Sequence, residues 1–283
     1  MTARTSPTER QRRVGAELKS MRVAAAVSAE SAAGLLGVSR SQLSAIEQGL
    51  RAISASRLRT LACHCDCADQ DYIDGLAAMA SSAQRGWWER YRGALSSAML
   101  DIAELEAHAT RMRYANSVHM PGLLQTSDHA LAVFRLAVPQ LPEQEVALRL
   151  AHRMERQQVL DGPAAPAYVG VVHEAALRMQ FGGRKVTRTQ LDHLLFMSER
   201  DNVEVRVLPF EAGGVPGAGQ TVNYLEGSVP RLDTVQIDSA HGPDFLHAES
   251  QLAKYRALLD WMERLSLPVD ASRDFIHRIA REI

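Results

Sequence analysis

The chain is 283 residues long, 46% hydrophobic and 23% charged, the composition of a soluble globular protein with room for roughly two domains. No apolar run approaches the roughly 18–20 residues needed to cross a bilayer, and the opening MTARTSPTERQRR lacks the apolar segment of a signal peptide, so the expected location is the cytoplasm, without membrane contact. The net charge of −1 says nothing about nucleic acid, but its distribution does: residues 1–66 hold ten Lys/Arg against five Asp/Glu, leaving 22 basic and 28 acidic residues for the remainder.

Residues 2–13 form a polar arm with Arg4, Arg10, Arg12 and Arg13, which either lies along phosphates or is a solvated terminus. From Val14 to Ala25, Val14, Leu18 and Met21 recur at helical spacing. The stretch 28–51, SAESAAGLLGVSRSQLSAIEQGLR, reads as two short helices joined by a tight turn. Ser28 caps the first helix and Glu30 is acidic in its first turn; Gly37 supplies the turn, Ser39 caps the second helix, and Gly49 stops it. Ala32, Leu35, Leu36, Val38, Leu43 and Ile46 give the pair a buried stripe, which leaves Arg40, Ser41, Gln42, Ser44, Ala45 and Gln48 on the outer face. That face suits a major groove, because Arg pairs with guanine, Gln with adenine, and short side chains permit close approach. An ordinary helical hairpin with a solvated polar face is the alternative.

GVSRSQLSAIEQG resembles the turn and recognition helix of the Xre/phage-repressor family of helix-turn-helix proteins, and VGAELKSMRVAAAVS resembles that family's first helix. The resemblance covers residues 13–80. It implies a DNA-binding head in which Arg40, Ser41 and Ala45 face bases while Ser39, Gln48 and Arg51 hold phosphates. Where the family usually has Gln just after the cap of its second helix, this chain has Ala29, so a phosphate clamp is missing.

Ser54 starts a fourth helix through Leu58, Leu61 and Ala62, and Asp69 a fifth through Tyr72, Ile73, Leu76 and Met79, completing a five-helix domain over residues 1–80. Cys63, Cys65 and Cys67 read as reduced thiols. CHCDC could be a metal or redox site, but residues two apart on a helix diverge and the spacing matches no usual zinc pattern, so Cys63 is expected as a small core residue.

SSAQRG at 81–86 is the expected boundary of a second domain, 81–283. Trp88, Tyr91, Leu95, Ala98, Ile102, Leu105, Ala109 and Met112 alternate steps of three and four, predicting one long connecting helix over 87–115. Its partner is either the same helix of a second copy or, as the weak positions Gly93, Ala98 and Ala109 favour, a helix of the following domain. A turn at Pro121-Gly122 leads to a helix capped by Thr126 or Ser127. EQEVALRLAHRMERQQVL then predicts a helix with Val146, Leu150, Met154 and Leu160 on one side and Arg149, Arg153 and Arg156 on another. The arginine row has two readings, a phosphate or carboxylate site and a solvated, salt-bridged face. From 163 the period changes: APAYVGVVHE, VEVRVLPF, TVNYLEGS and DTVQIDS predict about four strands, with helices over Thr187–Ser198, His247–Leu265 and from Ser272. The expected fold is therefore mostly α with a smaller α+β part.

LEAHATRMRYANSVHMPGLLQT, LRLAHRMERQQVL, VVHEAALRMQFGG and VEVRVLPFEAG together resemble the C-terminal domain of unknown function that follows Xre-type heads in actinobacterial WhiJ-like, antitoxin-like regulators. The resemblance covers roughly residues 85–280, with MPGLLQT and RQQVL its most specific pieces. It implies a transcriptional regulator working with a small acidic partner protein that lifts it from DNA. VQIDS departs from the usual Tyr-x-Glu pattern, which puts a partner contact there in doubt.

For an enzyme the sequence offers little. His173-Glu174 begins like a zinc-protease motif, but Leu177 stands where the second His is required; GGVPGAG at 213–219 is not followed by Lys-Ser/Thr; there is no GxSxG elbow. No catalytic residue, metal or cofactor is expected. The expected activity is that of a sequence-specific DNA-binding regulator, a homodimer whose C-terminal domain receives a signal from a small partner protein or from a small-molecule effector.

Overall fold

The computed structural model describes residues 6–81, 86–215, 217, 219–239 and 241–283. The chain divides into two compact units: Met1–Arg92 with Ser96–Leu105 and Ser228–Leu232, and Gly93–Leu95 with Glu106–Gly227 and Asp233–Ile283.

The first unit is built on α1 (Glu9–Ala24), α2 (Ala29–Leu35), α3 (Arg40–Glu47), α4 (Ala55–His64) and α5 (Gln70–Ser81). Each helix starts on a side chain that accepts from a free amide of its first turn: Thr8, Ser28, Ser39, Ser54 and Asp69. Leu18, Leu43, Leu58, Leu61 and Leu76 meet in the middle with at most 1% exposure. Full burial of one such side chain contributes about 1.5–3 kcal/mol, so this shared core fixes the helices against one another. Ser228–Leu232 closes it: Leu232 joins the core, and the Arg231 guanidinium lies 4.2 Å above the Tyr72 ring.

Two local expectations differ from the structure. Residues 9–13 are not an arm but the opening turns of α1, where a capping box between Thr8 and Gln11 holds the helix start. Arg12 pairs with Glu9 and Asp101, and Arg13 with Glu17 and the Arg231 carbonyl, so both are spent inside the unit; Arg4 lies outside the described residues. Leu35, expected in the buried stripe, is 38% exposed, and Ala33 packs in its place.

The continuous helix expected over 87–115 is absent. Trp87–Tyr91 is a 3-10 turn, Gly93 breaks the chain direction at φ +82°, α6 spans Ser97–Ala107, and Arg111–Asn116 is a strand, β1. The three-four spacing was real only across Ala98, Ile102 and Leu105. Met112 extended it by coincidence, because Met112 and Tyr114 share a strand face at period two. Residues 87–115 therefore form no single connecting helix.

The second unit carries a six-stranded sheet in the order β3-β2-β1-β4-β5-β6, with β2 (Ala167–His173), β3 (Val203–Leu208), β4 (Val222–Glu226), β5 (Thr234–Ser239) and β6 (Gly242–Leu246). β1, β2 and β3 are parallel; β4, β5 and β6 run antiparallel. The chain between β1 and β2 contains α7 (Ser127–Arg135, capped by Thr126) and α8 (Glu143–Arg156); α9 (Glu174–Arg178) and α10 (Arg184–Met197) follow β2, and α11 (Glu249–Leu265) and α12 (Val269–Glu282) follow the sheet. The sheet has six strands, not about four, because β1 was hidden inside the helical pattern and β6 carries Gly242 and Pro243, which read as a loop.

Ala115, Val171, Val222, Tyr224, Val235 and Ile237 pack on one face of this sheet with Leu252, Leu259 and Met262 of α11. Among the described residues, no helix is long and apolar enough to cross a membrane.

Candidate nucleic-acid interface

Local chemistry sets the geometry of α2, the turn and α3. Gly37 takes φ +63° between the helices and Gly49 takes φ +73° after α3, conformations that L side chains enter only under strain. Ser39 and Gln42 form a complete capping box: the Ser39 Oγ accepts from the Gln42 amide at 3.2 Å, and the Gln42 Oε1 accepts from the Ser39 amide at 3.0 Å. Leu43 and Ile46 turn inward at 1% and 3% exposure.

What holds α3 from behind was not visible as a motif. Arg22 of α1 grips Glu47 through two bonds, Nε to Oε1 at 2.6 Å and Nη2 to Oε2 at 3.1 Å, while its Nη1 donates to the Val27 carbonyl at 2.9 Å. One guanidinium thus ties α1, the turn before α2 and the end of α3. Beside it a Cβ on Gly15 would stand 2.6 Å from the Ile46 carbonyl oxygen, so α1 and α3 touch through bare backbone.

The outward face follows from the helical repeat. Ser39, Arg40, Ser41, Ser44, Gln48 and Arg51 are exposed, and Ala45 is half-buried between them. Gln48 donates from Nε2 to the Ser44 Oγ at 3.0 Å, and the Ser39 and Ser41 hydroxyls stand 2.9 Å apart. Gln42 differs from its expected place on the outer face: it is half-buried, and its amide oxygen is taken by the cap. The surface that remains is two long cations, Arg40 and Arg51, with short hydroxyls and one amide between them, on a helix pinned from behind. Such a surface can enter a groove without reorganising.

The other sequence signals fall elsewhere. The expected core residue Cys63 is exposed and Cys65 is buried, because Leu58, Leu61, Ala62 and Cys65 follow the three-four spacing and Cys63 does not; all three thiols are free. No His, Cys, Asp and Glu grouping among the described residues could hold a metal ion. Glu174 bonds Arg178 and the Phe210 amide, with His173 at the α9 cap. Of GGVPGAG, residues 216 and 218 lie outside the described residues. The arginine row of α8 divides: Arg149 pairs with Glu145 at the surface, whereas Arg153 and Arg156 turn into the unit.

Residues 99–278, well over half of the chain, match the family described as a domain of unknown function, DUF5753. The chain belongs to the DUF5753 family. Its DUF5753 region takes in the whole sheet, and residues 13–74 ahead of it match a helix-turn-helix domain, which spans α2, the turn and α3. No curated protein and no solved structure matches the chain.

Proposed function

We propose that this protein is a sequence-specific, DNA-binding transcriptional regulator with an Xre-type head, acting in the cytoplasm and without a catalytic step. The observation that carries this is the exposed face of α3, which sets Arg40 among Ser41, Ser44 and Ala45 on a helix held rigidly by Arg22 and Glu47. Arg40 reads a base edge, Ser41 and Ala45 allow close approach, and Ser39, Gln48 and Arg51 hold phosphates. Gln42 contributes by fixing the first turn of the helix.

One such head gives modest affinity, so the working form is a homodimer with recognition helices about 34 Å apart, one duplex turn. The DUF5753 region mediates dimerisation and receives the signal. In this reading it follows the actinobacterial WhiJ-like, antitoxin-like pattern, in which a small acidic partner protein releases the regulator from DNA. Footprinting of the full chain on genomic DNA tests the proposal: a protected palindrome supports it, and retention equal to that of unrelated fragments at low and moderate salt defeats it. The second reading is a small-molecule effector bound in the DUF5753 region, favoured by the enclosed polar side chains described next.

A further inference from the structure

In the DUF5753 unit the two sheet faces differ in kind. Strand register aligns Gly170 of β2, Tyr114 of β1, Asn223 of β4 and Gln236 of β5 in one row, and Asn116 follows Tyr114 on the same face. Asn116, Asn223 and Gln236 are at most 7% exposed, so this is not a solvated face. Asn223 Nδ2 donates to the Gln236 amide oxygen, yet Asn116 Oδ1, Asn223 Oδ1 and the Tyr168 hydroxyl are enclosed without a hydrogen-bond partner. A buried amide row with open acceptors is destabilising unless something binds it. Gly170 contributes by its lack of a side chain: the Tyr168 ring passes 3.0 Å from where a Cβ would be.

Two arginines of α8 occupy the same region of the unit. Arg156 pairs with Glu106 at 2.7 Å, and the Tyr114 hydroxyl donates to that same carboxylate. Arg153 has no such partner: Nη1 donates to the Gln125 amide oxygen at 2.6 Å, the guanidinium carbon lies 4.4 Å over the Phe134 ring, and Nε is enclosed with nothing to donate to. Burial, then the neighbouring Arg156, pull the Arg153 pKa down to about 9, against the raising influence of Asp238 and Glu106. Asp238 is exposed and accepts from Gln236 Nε2 at 2.6 Å, so water screens it. Burial holds His129 and His152 each at a pKa of about 4, helped by His119 and Arg153 at the first and by Arg156 and Arg153 at the second. Both arginines nevertheless keep some accessible surface, so solutes can reach them.

We infer that this is a ligand site for a small organic anion, whose carboxylate or phosphate pairs with Arg153 and whose hydroxyl or amino groups bond the Asn116–Asn223 acceptors and Asp238. The charges favour this kind of ligand: Glu106 is bonded to Arg156 and Asp238 to Gln236, which leaves the enclosed Arg153 guanidinium bonded only to a neutral amide, the waiting half of an ion pair. The site is independent of the DNA-binding reading, and its failure would leave Arg40 and its neighbours untouched.

The test is thermal unfolding and calorimetric titration of the full chain with inorganic phosphate and with glycolate, using ethylene glycol as the neutral control and chloride to hold ionic strength. A dose-dependent rise in melting temperature with either anion, absent with ethylene glycol, is expected; which anion is stronger identifies the head group. Arg153→Gln weakens binding at least about tenfold, as loss of a charge-assisted pair requires. Gln125→Glu does the same while keeping Arg153, because it seats a carboxylate where the amide oxygen now accepts. Arg149→Gln, at the surface of the same helix, leaves binding unchanged. No rise with either anion, or a rise that persists in both Arg153→Gln and Gln125→Glu, overturns the proposal.

Discussion

Two arginines of this chain show how differently one side chain is used. Arg40 stands in water on a short helix held by a capping box at its start and by the Arg22–Glu47 pair behind it. Arg153 is enclosed, with a neutral amide and an aromatic ring for company. An exposed cation costs almost nothing to hold ready, and salt governs what it attracts over distance. An enclosed one is destabilising until a counter-charge arrives, so it discriminates among small ligands at the expense of the free protein's stability. The helix-turn-helix unit and the DUF5753 unit thus present their polar groups in opposite ways, the first rigid and open, the second poised and closed.

The contrast can be broken most severely at Glu106. This carboxylate is fully buried against Arg156, so Glu106→Ala leaves an uncompensated cation beside Arg153 and is expected to cost roughly 3–5 kcal/mol in denaturant unfolding. A loss below about 1 kcal/mol would mean that water already solvates the pair, and the enclosed character of the region would go with it.

Next in size is the pH response of His129. Its imidazole is fully buried and its pKa is held at about 4, whereas in the unfolded chain it takes a proton near the ordinary histidine value of about 6.5. A depressed histidine pKa means that stability is intact above the unfolded value and is lost as the pH falls toward the folded one. The difference between wild type and His129→Gln should therefore shrink by up to about 3 kcal/mol between neutral pH and pH 4. Carboxyls that titrate in that range, Asp233 among them with its pKa raised to about 6 chiefly by burial, are common to both proteins and cancel. Parallel stability curves would contradict the burial.

The smallest of these effects belongs to the open unit. Ser39→Ala removes the cap of α3 and is expected to cost about 1 kcal/mol of stability. Because the same bond sets the first turn that carries Arg40, DNA affinity should fall with it.

How much of this was legible in the sequence follows the same division. Ser28, Gly37, Ser39 and Gly49 announce the helix pair because caps and turns are chemistry among near neighbours in the chain. The outer face of α3 was legible for the same reason, apart from Gln42, whose role in the cap competes with a role at the surface. Arg22 with Glu47 was not, since nothing in a 25-residue separation marks two charges as partners.

In the DUF5753 unit the polar strand positions Asn116, Asn223 and Gln236 look like solvent-facing residues in sequence, and only the sheet shows that they line an enclosed face. Arg153 and Arg156 share a helix face with Arg149, so spacing alone placed all three alike. The strand Arg111–Asn116 was lost because its buried positions continued the spacing of the helix before it.

The most direct measurement is the affinity of wild type and Arg40→Ala for the footprinted site and for single-base variants of it, at two salt concentrations. A base-reading Arg40 predicts a loss of roughly 1–3 kcal/mol on the cognate site, confined preference loss at one base pair, and an unchanged salt slope. An equal loss on every sequence, or a salt slope reduced by about one, would make Arg40 a phosphate contact and contradict the role given to α3.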